Sequence, residues 1–357
     1  MRFIHAGTPD PGIAHVLEGL DDVLRRHGHE PAASPGDADL VINHMGGHRP
    51  RPFRRGGRGV FVISVGSVPG SEHSVEQLYP LLVRTLSNLL IVVTRDTRPE
   101  VAHMVTLEQA HVAIPHDPVG DGFFDAMYAR IEPLATSRLV IDNIFVPDLE
   151  PALHDGDELT ASIGRAGRFL DELNLLPAAF PIEDQLSPRD MRHLKLLYGI
   201  GGLSYGNFSA RLDRKRFWMS ASGVDKARLR DIGRDILLVT DYDAERNAML
   251  LSVPPDVEPR RVSVDAIEHW LIYRENPGVG AILHVHAWME GAPSTPMQYP
   301  CGTYELGRAV ADLVAAAPDP VHAVVGQRNH GLSITGESLD EILQRVGGGL
   351  VRGVPMI

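Results

Sequence analysis

Three histidines carry the strongest chemical signal in this chain. AILHVHAW places His284 and His286 two positions apart inside an apolar run. In a strand, positions i and i+2 share a face, so the two imidazoles can converge on one ion. Ile282, Leu283 and Val285 would give that ion a dry, low-dielectric wall. Taken alone, an H-x-H pair is more often two unrelated histidines. A third histidine, His330, follows the apolar run HAVVG and precedes Gly331, where a strand end turning at glycine can reach a pocket. Three neutral imidazoles leave an open position on Zn²⁺, as a catalytic site requires. Softer ligands are lacking, so Zn²⁺, Fe²⁺, Co²⁺ and Mn²⁺ all stay open on donor chemistry.

The elements that must position these residues belong to an ordinary globular chain. It has 357 residues, 43% of them apolar and 22% charged, which excludes disorder throughout. That length favours two domains. The net charge of −12 argues against gripping a phosphate backbone, so no nucleic acid partner is expected. The lone cysteine, Cys301, rules out an intramolecular disulfide and a thiolate zinc cage. No apolar stretch approaches the ~18–20 residues that cross a bilayer. The opening MRFIHAGTPDPG lacks the basic and apolar runs of a secretory signal, so a cytoplasmic protein without a membrane partner is expected. Histidine is in excess at 17 residues, ten of them before residue 120.

Residues 1–150 alternate short apolar runs with helical patterns. MRFIHAG, ADLVINHM, GVFVISVG, LLIVVTR and RLVIDNIFV read as strands. GIAHVLEGLDDVLRRHG, SVEQLYPLLVRTLSN and FFDAMYARIEPLA read as helices. The alternation predicts a Rossmann-like, mostly parallel open sheet. PDLEPALHDGDELT is acidic and turn-rich, and marks a boundary. Residues 151–185 read as a linking helical segment. Residues 186–357 form the second domain, with Ser187 capping a helix that starts at Pro188. FSARL, RFWMSAS, DILLVTDYD and NAMLLSV read as an antiparallel meander, followed by mixed helices and strands, which suits a three-layer α/β/α domain.

RPRPFRRGGRG, residues 49–59, holds five arginines in an acidic protein. A solvated loop is the commoner explanation. The sharper one is an anion clamp, since it follows a predicted strand where open sheets bind ligands. No G-x-G-x-x-G fingerprint accompanies it. His44, His48, His111 and His116 have no partner pattern and read as surface or structural residues.

From about Leu186 to Val346 the chain resembles the class II aldolase/adducin family, the group of fuculose-phosphate aldolase and ribulose-phosphate 4-epimerase. Five segments occur in the family's order. GLSYGNFSAR looks like its Gly-Asn-x-Ser phosphate loop, and MSASGVDKARL like its Ser-Gly-x-x-Lys/Arg turn. GAILHVHA looks like its paired metal histidines, CGTYELGRAV like its Gly-Thr-x-Glu-Leu helix start, and RNHGLSITGESLDEIL like its Asn-His-Gly-Leu segment. The resemblance implies His284, His286 and His330 as ligands of a divalent metal, Zn²⁺ first. It implies a lyase, an aldehyde-lyase working by retro-aldol cleavage or a carboxy-lyase working by decarboxylative cleavage, that breaks or forms a C–C bond through a metal-stabilised enediolate, or an epimerase using the same step. Asn207, Ser222, Gly223 and Ser263 match positions that hold a phosphate, and a carboxylate could occupy the same pocket; Lys226 could add a cation there, although an exposed turn lysine is the commoner explanation.

The sequence departs from the family in four places. The family's acid/base glutamate is matched by Asp265, one methylene shorter, with Glu268 on the same helix face as the fallback. An ordinary first-turn acid explains Asp265 without catalysis, and a solvated helix acid explains Glu268. Val264 stands where relatives carry a second serine. Only 16 positions separate His286 from Gly302, a short span for a substrate lid, and Tyr299 is the candidate for the lid's tyrosine proton donor. The chain ends at Ile357, soon after the last motif, so the lid is expected from the N-terminal domain or a neighbouring subunit of a homo-oligomer. Two other readings use the same residues: a non-haem iron oxygenase, and a non-catalytic adducin-like module, against which the three intact histidines argue. The partner in either enzyme reading is a small molecule.

Overall fold

A computed structural model describes residues 1–8, 10–46, 51–53, 60–70, 72–108, 110–117, 122–177, 186–198 and 204–356. Most of the arginine-rich loop, with His48, lies outside them; so do Gly202 and Leu203 of the first motif and most of the break at 177–181. The chain divides into two compact units, one of residues 1–136 and 181–197, the other of 137–180 and 198–355. No helix among the described residues is long and apolar enough to cross a membrane.

The first unit is built on seven strands: β1 (Arg2–Thr8), β2 (Glu30–Pro31), β3 (Leu40–Met45), β4 (Phe61–Val68), β5 (Leu89–Thr94), β6 (Val101–Thr106) and β7 (His111–Pro115). Their order is β2-β1-β3-β4-β5-β6-β7. The first five pair in parallel, and β6 and β7 are added antiparallel. Leu40 to Ile42, Phe61 to Val65 and Leu89 to Val93 are buried, as strands covered on both faces require. The helices are α1 (Ala14–Arg26), α2 (Val75–Thr85) and α3 (Gly122–Thr136). In α1 the buried residues Val16, Leu20, Val23 and Leu24 fall on one stripe, and Arg25 and Arg26 sit in its last turn, favourable to the helix dipole.

The second unit opens with β8 (Asp142–Val146) and α4 (Glu158–Glu172). RLVIDNIFV was expected in the first sheet; instead β8 pairs in parallel with an edge of the second. A five-residue strand has no local feature that names its partner. Here Asn143 helps to select it, its Oδ1 accepting from the Val262 backbone N–H at 2.9 Å. The segment 151–180 contributes α4 to this unit. The helix α5 (Pro188–Tyr198) begins where proline and Ser187 predict, with Ser187 Oγ accepting from the Asp190 N–H at 3.2 Å; its residues up to 197 group with the first unit.

The meander forms as β9 (Asn207–Arg211), β10 (Phe217–Ser220), β11 (Ile236–Asp243) and β12 (Ala248–Ser252). Then come α6 (Ala266–Glu275), β13 (Ala281–Val285), β14 (Ala287–Trp288), α7 (Tyr304–Ala316), β15 (Val324–Gln327), β16 (Gly331–Gly336), α8 (Leu339–Val346) and β17 (Val351–Arg352). The eight-stranded sheet runs β15-β16-β13-β9-β10-β11-β12-β8, while β14 pairs with β17. β13 is therefore central, between β9 and β16. Its alternation decides the site. Leu283 lies opposite Phe208 and Ile334, whereas His284 lies opposite Asn207 and Ser333. One face is thus apolar and the other carries a polar stripe.

α6 covers the polar face. Ser209 Oγ lies 2.7 Å from His269 Nδ1 and 2.8 Å from the Tyr273 hydroxyl, both on α6. Arg211 fixes the far end of that helix. Its guanidinium donates to the carbonyls of Tyr273, Asn276 and Val279 at 2.6–2.9 Å, where a helix C-terminus favours a cation. α4 packs on the opposite face, and its N-cap Asp157 accepts from Trp218 Nε1 at 3.0 Å.

Candidate metal centre

β13 sets His284 and the β15–β16 turn sets His330. A ligating atom of each of His284, His286 and His330 lies within 4.8 Å of the others. Ring centroids are 5.1 Å apart for 284–286, 5.1 Å for 284–330 and 4.5 Å for 286–330. His286 follows the last residue of β13 and is half-buried, whereas His284 and His330 are buried. Asn329 holds a left-handed backbone (φ 59°) just before His330 and lets the chain reverse there. Gly206 is needed for close approach: a Cβ on it would lie 2.6 Å from the His284 carbonyl oxygen.

The residues fit a bound cation. His284 donates from Nδ1 to the Leu332 carbonyl at 3.1 Å, which leaves the Nε2 lone pair for another partner. That Nε2 is buried and has no hydrogen-bond partner. Gln327 Nε2 also lies 3.3 Å from Nδ1. A nitrogen already donating to a carbonyl cannot accept, so this is a packing contact. Burial drives the imidazoles toward neutrality: His284 falls to about 4 and His330 to about 3, and His286 also drops well below its ordinary value. Neutral imidazole is the form that binds metal.

Asp265 is the N-cap residue of α6, yet its side chain makes no capping bond. It accepts instead from Asn207 Nδ2 at 2.7 Å, through Oδ2. Its Oδ1 is buried and unpartnered. Burial raises this carboxyl above its usual range, against the opposing pull of His330, Asn207, Gly302 and Lys226. Glu268 is placed differently. Its carboxylate accepts from Ser333 Oγ and, at 2.9 Å, from Gln327 Nε2. It is 1% exposed, not a solvated helix acid, and burial followed by Asp265 pushes it well above the carboxylate range. The two acids thus have separate roles open to them: Asp265 has an idle oxygen, whereas both oxygens of Glu268 are engaged.

Lys226 is also buried, 4% exposed, which excludes the bland reading of an open turn lysine. Its Nζ donates to the Ser204 carbonyl at 2.9 Å. Burial lowers it to about 8, with Asp265 and Asp225 opposing. Ser222 and Ser263 are brought together by the bridge Ala221↔Val262, and Gly223 turns the chain at φ 69°. Asn207 Nδ2 is spent on Asp265. Tyr299 is half-buried against the core of the second unit.

Three residues at the centre escaped the sequence reading as contributors. Cys301 Sγ lies 3.2 and 3.4 Å from the two ring nitrogens of His330, so a soft atom does border the site. The cysteine count had placed none there. Gln327 and Ser333 contact Glu268, and a polar residue ending the apolar run VVGQ was the available signal. In the first unit, His44 lies 2.7 Å from His5, His111 lies 3.1 Å from His103, and His116 lies 3.4 Å from Glu100.

Residues 191–297 match the class II aldolase and adducin N-terminal domain. The aldolase-type segment contains Asp265, His284 and His286; His330 lies beyond its matched end. Methylthioribulose-1-phosphate dehydratase of Pseudomonas aeruginosa strain LESB58 is 33% identical over 106 residues, 29% of this chain and 46% of that protein. The protein of that name from Xanthomonas campestris pv. campestris strain B100 is 36% identical over 81 residues, 23% of this chain and 32% of that one. The matched stretches thus span less than half the length of these curated relatives. Among solved structures, YgbL from Klebsiella pneumoniae aligns over 54% of this chain and 84% of its own, at 19% identity and a TM-score of 0.35.

Proposed function

We propose that the second unit is a divalent-metal-dependent lyase acting on a small hydroxylated, phosphorylated or carboxylated substrate. The observation that carries this reading is the clustering of three imidazoles, together with a buried acid, Asp265, that has an oxygen to spare. His284, His286 and His330 would hold the ion, Zn²⁺ by preference. When bound, it would supply a Lewis-acid charge for a substrate carbonyl and its neighbouring hydroxyl.

The chain's own residues do the rest. Asp265 Oδ1 removes a proton from the substrate, and Asn207 holds the other oxygen so that Oδ1 faces one way. In a retro-aldol cleavage the proton comes from a hydroxyl, the C–C bond breaks, and its electron pair moves onto the carbonyl fragment, which Asp265 then protonates. Lys226, with Ser222, Gly223 and Ser263, takes the anionic group at the far end of the substrate.

The relatives' name, methylthioribulose-1-phosphate dehydratase, favours a second bond choice. In a dehydration, Asp265 would remove the proton beside the carbonyl and the next carbon would lose its hydroxyl as water. We also read the first unit as a Rossmann-like sheet, by its strand order, within a cytoplasmic homo-oligomer. Elemental analysis of the purified protein, beside the triple variant His284→Ala/His286→Ala/His330→Ala, tests the metal. Mass spectrometry of sugar phosphates incubated with the protein separates an aldehyde product from loss of water. A wild-type protein that holds no more metal than the triple variant sinks the proposal.

A further inference from the structure

Glu268 is the residue whose placement the proposed reaction leaves unexplained. A carboxyl group 1% exposed is costly unless its oxygens are satisfied. Here they are satisfied by a closed ring of three side chains. Ser333 Oγ donates to Glu268 Oε1, Gln327 Nε2 donates to Glu268 Oε2 at 2.9 Å, and Gln327 Nε2 donates its second hydrogen to Ser333 Oγ at 2.9 Å. The ring joins α6, β15 and β16. It backs directly onto His284: Ser333 is that residue's cross-strand partner, and the Gln327 amide nitrogen lies 3.3 Å from its Nδ1.

The consequence follows from which nitrogen is left over. His284 donates from Nδ1 to Leu332 O, the residue before Ser333, and its Nε2 is the buried, unpartnered atom of the histidine cluster. Gln327 has spent both N–H groups on the ring. Were Glu268 removed, the amide would lose an acceptor and become free to turn its oxygen toward Nδ1–H. The imidazole would then have two places to donate and two orientations. Outer hydrogen-bond partners of a ligating histidine act in this way, fixing its tautomer and aim.

We propose that Glu268 is a positioning residue for His284, acting through Gln327 and Ser333, and not an acid or base in the reaction. The assignment rests on the reading of His284, His286 and His330 as metal ligands. It also accounts for two buried acids three residues apart on one helix start: Asp265 faces the histidines with a spare oxygen, and Glu268 braces one of them from behind.

The test uses Co²⁺ added to the metal-free full chain, with absorption spectra and chelator competition as readouts. Glu268→Ala and Gln327→Leu should each weaken Co²⁺ binding by about 10–100-fold and alter the visible spectrum. The double variant should be no weaker than the poorer single one, because the two act as one unit. Glu268→Gln, which keeps an acceptor for Gln327, should recover most of the affinity. Metal-free unfolding midpoints report folding separately, and if Glu268→Ala does not fold, Gln327→Leu and Ser333→Ala decide. Wild-type affinity and spectrum in folded Glu268→Ala or, failing that, in both of those variants overturns the proposal. A wild-type chain that binds no Co²⁺ removes the metal reading itself, and this inference with it.

Discussion

Asn207 donates from Nδ2 to Asp265 Oδ2 at 2.7 Å, and the second oxygen of that carboxylate is buried without a partner. The two residues are 58 positions apart, one opening β9 and the other preceding α6. An amide on one oxygen alone directs the proton chemistry to the other. Asp265→Asn should therefore lower kcat by about 10²–10⁴-fold, the usual share of a general acid/base, while the metal content stays as in wild type. Asn207→Ala should raise the pH at which Asp265 loses its proton, visible as a shifted acid limb of the rate profile. Full turnover in Asp265→Asn would move the acid/base role elsewhere.

The buried titratable groups give the metal-free protein opposing pH dependences. His284 and His330 have folded values depressed to about 4 and about 3, so they contribute stability that is complete above their unfolded value. It is lost as pH falls toward those folded values. Asp265 and Glu268 are raised, so their contribution is complete at acid pH and lost as pH rises through their folded values. Between about pH 7 and about pH 5, His284→Gln should lose roughly 2 kcal/mol less stability than wild type, because one buried imidazole no longer has to stay neutral. Glu268→Gln should lose more than wild type. Urea unfolding of the second unit in chelator checks both signs.

Lys226 is a cation kept out of water with a carbonyl for company, and burial lowers it to about 8. Its folded value lies below the unfolded one, so at neutral pH it costs stability. Lys226→Met should leave the unfolding midpoint unchanged or raise it. The same change should weaken binding of inorganic phosphate about tenfold, the worth of a charge-assisted hydrogen bond. Thermal unfolding and calorimetry read the two effects on one preparation.

Gly167 lets α4 lie against the turn that carries Lys226. A Cβ there would sit 1.8 Å from the Lys226 carbonyl oxygen, a backbone atom that cannot swing aside. Gly167→Ala should destabilise the second unit by about 1–3 kcal/mol despite alanine's better helix propensity. Phosphate affinity should fall with it. Gly164→Ala, three residues earlier, meets Leu229 O at 3.3 Å and should cost far less. Equal effects at the two positions would deny Gly167 its special contact.

Much of the architecture was legible because local pattern and tertiary outcome agree. The stripe of α1, the Ser187–Pro188 helix start and the meander from Asn207 to Ser252 each follow from side-chain period and capping chemistry, which act over a few residues. The i, i+2 spacing of His284 and His286 limited them to one side of a strand, and His330 was found by its place at a strand end. Strand partners were less legible. β8 joined the second sheet, because a short apolar run pairs equally well with several neighbours, and β6 and β7, which the sequence reading did not pick out as strands, add antiparallel to the first.

The sequence, through its histidine spacing and its resemblance to the class II aldolase/adducin family, marked three imidazoles and two acids as candidates for one region. Only the tertiary structure decided which acid keeps a spare oxygen, that Lys226 is buried, and that Cys301 and Gln327 border the histidines. The physical reason is range. Periodicity fixes which way a side chain points within one element, whereas hydrogen-bond satisfaction in a buried site depends on atoms delivered by strands and helices far apart in the chain.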